Sequence, residues 1–247
     1  MCTVTFIAQR NGYCLGMNRD EKLTRAEGLP PTRTKLNGRA VLSPSEPSGG
    51  TWIALNDGGA TLALINWYSV PQRVQLNPLS RGEVVRTVSD ADSAAAADAR
   101  LRELPLKRIH PFRLIGIFPA PGEIVEWRWN LKRLVRRKAL WKTQQWISSG
   151  FDEPAAQRVR GETFRQTLRH TSVPDVSWLR KLHSSHAPQA GAFSTCMHRA
   201  DAATVSYTEA TVSPRGAKML YRAGPPCENS TAFRRSLRLR RNQSSSS

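Results

Sequence analysis

The chain opens with an apolar, β-branched run that turns back on itself. Thr3 to Ala8 has the composition of a strand, and Tyr13 to Asn18 resumes that character after Asn11-Gly12. Asn-Gly between two such runs is a strong two-residue hairpin signal. A hairpin here brings residues near position 2 beside residues near positions 18–20. Residues 28–48 are rich in Pro, Gly, Ser and Thr and read as a long loop. Thr51 to Asn56 and Ala60 to Trp67 flank the turn Asp57-Gly58-Gly59 and predict a second hairpin of buried, near-continuous apolar strands.

The period changes in the middle of the chain. Ser80 to Leu104 predicts a helix, since Ser80-Arg81-Gly82-Glu83 resembles a capping box and Ala94 to Ala97 is a run of strong helix formers. His110 to Phe118, Ile124 to Trp129 and Ala139 to Ile147 read as strands, with Pro121-Gly122 turning between the first two. Asp152 to His170 predicts a helix with Asp152 as N-cap and Pro154 in its first turn. Asp175 to Leu182 predicts a short one. Ala203 to Val212 and Lys218 to Arg222 read as a closing hairpin around Pro214-Arg215-Gly216. Strands at both ends with helices between them favour an α+β fold over a parallel βαβ sheet.

Composition adds a size and a charge. The 247 residues are 39% hydrophobic, enough for a core. No stretch approaches the roughly 18–20 apolar residues of a membrane span, and the N-terminus lacks a basic segment followed by an apolar one. The expectation is a non-secreted, cytoplasmic protein. The formal charge is +18, concentrated in Arg128 to Lys138 and in Arg234 to Arg241. Without an aromatic platform or groove in register with the charge, these patches predict nonspecific nucleic-acid contacts at most. Residues 226–247 lack apolar periodicity and read as a basic, Ser-rich disordered tail after a domain spanning 1–225.

The chemistry concentrates at Cys2. A small second residue permits removal of Met1, which leaves thiol and α-amine on one residue. An α-amine of pKa about 7.7–8 can act as a general base towards that thiol. The predicted hairpin sets Asn18-Arg19-Asp20-Glu21 beside Cys2. With Met-Cys at the start, this tetrapeptide strongly resembles the NRDE family, which takes its name from it and whose eukaryotic members are known as transport and Golgi organisation proteins. Gly49-Gly50-Thr51-Trp52 with Asn56 and then Asn66 continues the likeness, and Ser80-Arg81-Gly82 and His110-Pro111-Phe112 are similar to later segments of the family.

The resemblance implies an N-terminal-nucleophile (Ntn) hydrolase-like αββα sandwich of two antiparallel sheets between helix layers. It implies Cys2 as nucleophile, Asp20 holding the α-amine, Arg19 favouring the thiolate and Asn66 in the oxyanion hole, with Asn18 beside them. The implied substrate is a small-molecule amide or acyl compound cleaved at a C–N bond. A second implication is a non-enzymatic carrier, because eukaryotic members are linked to haem and lipid handling. Two departures stand out. In the related acylases the Arg and Asp are three residues apart, whereas Arg19 and Asp20 are adjacent and point to opposite faces of a regular strand. Either the strand is bulged or ending there, or Asn18 and Asp20, or Arg19 and Glu21, form the inward pair. In addition, Ser148-Ser149-Gly150 stands where the family tends to have Ser-Asn, which leaves Ser149 as the substitute donor.

No cofactor or metal is called for. The four cysteines, Cys2, Cys14, Cys196 and Cys227, show no C-x-x-C pairing that would imply a zinc knuckle or a disulfide framework. His183, His186, Cys196 and His198 match no ligand spacing and read as a polar connector.

Overall fold

The computed structural model describes residues 2–240. In chain order the elements are β1 (Cys2–Gln9), β2 (Gly12–Lys22), β3 (Leu29–Leu36), β4 (Arg39–Ser45), β5 (Ile53–Asn56) and β6 (Thr61–Asn66). Then come α1 (Gly82–Val88), α2 (Ala94–Glu103), β7 (Phe112–Phe118), β8 (Glu123–Trp129), β9 (Leu134–Ala139) and β10 (Gln144–Ser148). The chain continues through α3 (Glu153–Arg169), α4 (Val176–His183), β11 (Ala202–Ser213), β12 (Gly216–Ala223) and β13 (Ala232–Leu237). Among the described residues the strands build two antiparallel sheets, ordered β10-β1-β2-β11-β12-β13 and β3-β4-β5-β6-β7-β8-β9.

Side-chain alternation then sorts the apolar residues into three layers. Val4, Phe6, Leu15, Met17, Ile53, Ile65 and Ile115 meet between the sheets. Leu62, Leu64, Leu114 and Trp127 pack outward against Val84, Val88 and Ala97 of α1 and α2. On the other side Ile7 and Cys14 pack against Trp178, Leu179 and Leu182 of α4. This is the expected αββα sandwich.

The β1–β2 hairpin turns one residue earlier than expected. Gln9 pairs with Gly12, so Arg10-Asn11 is the loop. Gly12 is needed at the start of β2, because a Cβ there would sit 2.0 Å from the Val212 carbonyl oxygen of β11. The loop still holds two residues, so even-numbered side chains of β1 stay opposite odd-numbered ones of β2.

Several other boundaries move. The long loop expected over 28–48 is largely the β3–β4 hairpin, turning at Asn37-Gly38 with φ of 46° and 80°. β3 is an edge strand, where Pro30 and Pro31 are tolerated. The single helix expected over 80–104 is two. Ser93 starts α2 by accepting from the Ala96 N–H, while α1 has no side-chain N-cap; Ser80 Oγ accepts instead from Gly82 N–H. The strand expected over 139–147 is also divided, since β9 closes one sheet and β10 opens the other. The dense basic run ends in β9, an edge strand where charge blocks further pairing. The tail is shorter than expected, because β13 pairs with β12 through Leu237 against Ala217 and Phe233 against Tyr221. Its alternation is masked in the sequence because Arg235 takes the position between Phe233 and Leu237 on their face, opposite Met219. Residues 241–247 of the expected tail, and Met1, lie outside the described residues.

Candidate active site

Strand β1 delivers the candidate nucleophile. Cys2 is its first residue, and its register partners are Arg19 on β2 and Ser148 on β10. Residues directly opposite in a sheet share a face. Cys2, Arg19 and Ser148 therefore project into the space between the sheets, and Cys2 belongs to that core. The Ser148 hydroxyl is buried and has no hydrogen-bond partner among the described residues.

The alternation along β2 answers the question of adjacency. Arg19 and Glu21 share the Cys2 face, while Asn18 and Asp20 face the helix layer. β2 itself runs without a bulge against β1; the register slip lies across from it on β11, between Thr204 and Ser206.

Arg19 is held from three sides. Its guanidinium lies 4.6 Å over the Trp52 ring, donates to Glu46 at 2.7 Å, and stands 3.5 Å from Glu21. Arg25 completes the network at 3.0 Å from both carboxylates. Burial alone would push the Glu21 carboxyl up, but the Lys22 N–H and the charges of Arg25 and Arg19 hold it below its ordinary value.

Burial pushes the Cys2 thiol above its ordinary value, and the Asp20 carboxylate adds to this. Arg19 and a hydrogen bond from the Asp20 backbone N–H pull the other way. Cys14 faces the helices instead, and burial pushes its thiol up to about 11.

A cavity of about 380 Å³ opens over Cys2, bounded by Arg19, Trp52, Asn66, Arg81 and His110 among others. Its far wall depends on Gly82, since a Cβ there would lie 2.6 Å from Gly50 Cα. That close approach of two backbones carries Arg81 to the cavity. Arg81 makes no ion pair with a described residue; its guanidinium donates to the Pro111 carbonyl at 3.4 Å, and burial lowers its pKa. His110 Nδ1 accepts from the Val74 N–H at 3.2 Å, and burial followed by the charges of Arg81 and Arg73 lowers its pKa. The imidazole is therefore neutral, with its proton on Nε2.

The expected site residues separate into two groups. Cys2, Arg19 and Asn66 meet at the cavity, where Asn66 Nδ2 donates to the Tyr68 hydroxyl at 2.7 Å. Asn18 lies on the other face. Its amide nitrogen donates to the carbonyls of His183 and Thr195, and its oxygen is 3.0 Å from His183 Nδ1. Asp20 borders the cavity, but its carboxylate is on the helix side, accepting from Arg160 at 3.1 Å and Thr204 at 2.7 Å. Ser149 Oγ accepts from the Phe151 N–H at 3.3 Å. Asn56 fixes the β5–β6 turn, accepting from the N–H groups of Gly58 and Ala60. Arg81 and His110 were legible only as parts of family segments, and Ser148 only as a neighbour of Ser149.

His183 gives a pH prediction. Burial, then the charge of Arg160, lowers its pKa to about 3, against an unfolded value of about 6.5. The folded state thus binds fewer protons, so stability is complete above about pH 6.5 and is lost as pH falls towards 3, by roughly 3–5 kcal/mol in all. Urea midpoints between pH 7 and 4 should fall steeply in the wild type and less in His183→Gln; equal slopes would refute this assignment.

The comparisons bear on family and fold. Residues 1–120 match the family model described as Transport and Golgi organisation 2. No curated protein sequence matches the chain. Penicillin V acylase from Agrobacterium tumefaciens superposes with a TM-score of 0.57 at 12% identity, covering 96% of this chain and 86% of that one. A mutant of conjugated bile acid hydrolase from Clostridium perfringens gives 0.59 at 9% identity, covering 96% and 92%. A second variant of that hydrolase gives 0.55 at 9% identity, covering 99% and 100%. Identity this low speaks for the fold alone. Over its first 120 residues the chain thus matches the Transport and Golgi organisation 2 family, and over nearly its whole length it has the fold of the Ntn hydrolases.

Proposed function

We propose that this protein is an N-terminal-cysteine hydrolase acting on the C–N amide bond of a small, anionic substrate. The observation that carries the reading is the pairing of Cys2 with Arg19 at the edge of a polar cavity. Removal of Met1 gives Cys2 a free α-amine that takes the thiol proton. The thiolate attacks the amide carbon, and the resulting oxyanion is held by Asn66 once its amide turns from Tyr68. Collapse expels the amine, which takes the proton back, and leaves a thioester. Water then cleaves the thioester, releasing the acid and restoring the thiol.

Arg81 supports the anionic character of the substrate. It is a half-buried cation on the cavity wall without a carboxylate partner among the described residues, and a buried charge is stable only when paired. A substrate carboxylate would complete it. Arg81→Gln is expected to raise KM for an acidic N-acyl substrate about 10- to 100-fold, the loss of one charge-assisted hydrogen bond of ~1.5–3 kcal/mol. The same variant should leave KM for a neutral ester analogue nearly unchanged. Equal effects on both substrates would remove Arg81 from substrate recognition.

Intact mass and a thiol-directed electrophile test the reading as a whole. Met1 should be absent, and Cys2 should label ahead of Cys14. A protein that keeps Met1 refutes it, because the α-amine then no longer sits on the nucleophile. A Soret shift on haem titration that disappears in Cys2→Ala would favour a carrier in its place.

A further inference from the structure

Away from the Cys2 cavity, four side chains that the sequence leaves unrelated come together. The α4–β11 connection, residues 184–201, has no helix or strand of its own and carries His186, Cys196 and His198. The β12–β13 loop, residues 224–231, carries Cys227. Because β11 and β12 pair antiparallel, the start of one and the end of the other lie together, with Ser206 opposite Ala223. Both loops therefore emerge at one end of the sheet, where Ser184 Oγ donates to the Pro226 carbonyl at 3.0 Å. The ligand atoms of His186, Cys196, His198 and Cys227 all lie within 4.8 Å of one another.

The distances have a characteristic pattern. His186 Nε2 and His198 Nε2 are 3.2 Å apart. Cys196 Sγ and Cys227 Sγ lie 3.6 and 3.4 Å from His198 Nε2, and 3.4 Å from each other. Bonds of about 2.0–2.1 Å to nitrogen and 2.3 Å to sulfur at tetrahedral angles place two nitrogens about 3.3 Å apart, nitrogen and sulfur about 3.5 Å apart, and two sulfurs about 3.8 Å apart. These four separations fall within about 0.4 Å of that set, and the two between His186 and the sulfurs are at most 4.8 Å.

We propose that His186, Cys196, His198 and Cys227 form a structural zinc site. Two thiolates and two imidazoles in a closed tetrahedral set select zinc over harder cations. All four positions belong to the protein, so the ion staples two loops and has no open position for catalysis. It adds a cross-link between residues 184–201 and the β12–β13 loop, beside the Ser184–Pro226 hydrogen bond that already joins them. His183, three residues before the first ligand, takes no part; its ring nitrogens face Asn18 and Thr5. The polar connector expected from the sequence is in this respect a metal site. Its spacing, H-x₉-C-x-H-x₂₈-C, follows from sheet pairing rather than from a local motif.

The test uses the full chain purified under reducing conditions without an affinity metal. Elemental analysis should find about one zinc per chain, falling below about 0.1 in Cys227→Ser and in His186→Ala. Cys2→Ala should keep its zinc, which separates this site from the proposed hydrolase. If the ligand variants fail to fold, the wild type still decides. Exchange of its zinc for cobalt should produce the visible bands of tetrahedral cobalt and a thiolate charge-transfer band, and chelation should lower Tm. Metal-free protein with four free thiols, a Cys196–Cys227 disulfide, an octahedral cobalt spectrum, or stoichiometric copper or iron instead of zinc would each overturn the proposal.

Discussion

Cys2→Ala is expected to fold like the wild type and to lose amide hydrolysis by about 10⁴-fold or more, the scale on which removal of a nucleophile acts. The fold should survive because the substitution removes one atom at the first residue of β1, a loss of about 1 kcal/mol. Hydrolysis should not, because no other cysteine shares the face: Cys14 projects towards α4, Cys196 lies in the α4–β11 connection and Cys227 in the β12–β13 loop. Cys2→Ser keeps the volume and should be nearly as inactive, since a hydroxyl in the same buried setting ionises far less readily than a thiol. Arg19→Gln provides a graded control. Burial holds the Cys2 thiol high and the Arg19 charge draws it down, so removing that charge should move the alkylation profile of Cys2 to higher pH. Amide turnover in Cys2→Ala within tenfold of the wild type would exclude Cys2 as the nucleophile, and an unchanged alkylation profile in Arg19→Gln would separate Arg19 from it.

The second large effect concerns stability. Arg160 reaches from α3 to the outer face of the six-stranded sheet with both its own side chain and that of Asp20 fully buried. It donates to Thr3 Oγ1 at 2.8 Å, to Asp20 Oδ2 at 3.1 Å and to the Ala192 carbonyl at 3.4 Å. One guanidinium thereby joins β1, β2, α3 and the loop that carries Cys196. Arg160→Met is expected to destabilise the protein by about 3–5 kcal/mol, because it removes one side of a fully buried ion pair together with the hydrogen bonds to Thr3 and Ala192. For a protein with 5–15 kcal/mol of stability this is a large fraction. Asp20→Asn combined with Arg160→Met should recover part of the loss, since removing both charges also removes the need to pair them. Urea unfolding of the four proteins in this cycle gives the coupling directly; additive losses would mean that the two charges do not act as a pair.

Much of this was legible in the chain because it depends on short-range rules. Apolar alternation and turn residues defined the hairpins at both ends, and Asp152 and Asp175 marked the starts of α3 and α4 by accepting from Ala155 and Trp178 N–H groups. A two-residue turn anywhere near Asn11 already sets the parity of the first hairpin. Cys2 must then face Arg19 or Glu21, never Asp20. The edge strands were the weak point: the prolines of β3 and the arginines of β13 mask a pattern that pairing on one side alone sustains.

Cys2 as the candidate nucleophile was thus determined by sequence, through its position and the hairpin that returns beside it. Which residues surround it was decided by tertiary structure. Arg81 reaches the cavity because the backbones at Gly50 and Gly82 touch, and His110 because β7, which follows it, pairs with β6. Asn18, adjacent to Arg19 in the chain, is carried to the opposite side of the sheet to bind His183. Cys227 meets His186, Cys196 and His198 only because β12 returns beside β11. The physical reason is the same in each case. Periodicity along a strand fixes which face a side chain takes, but only the pairing of distant strands and the packing of layers fixes what it meets there.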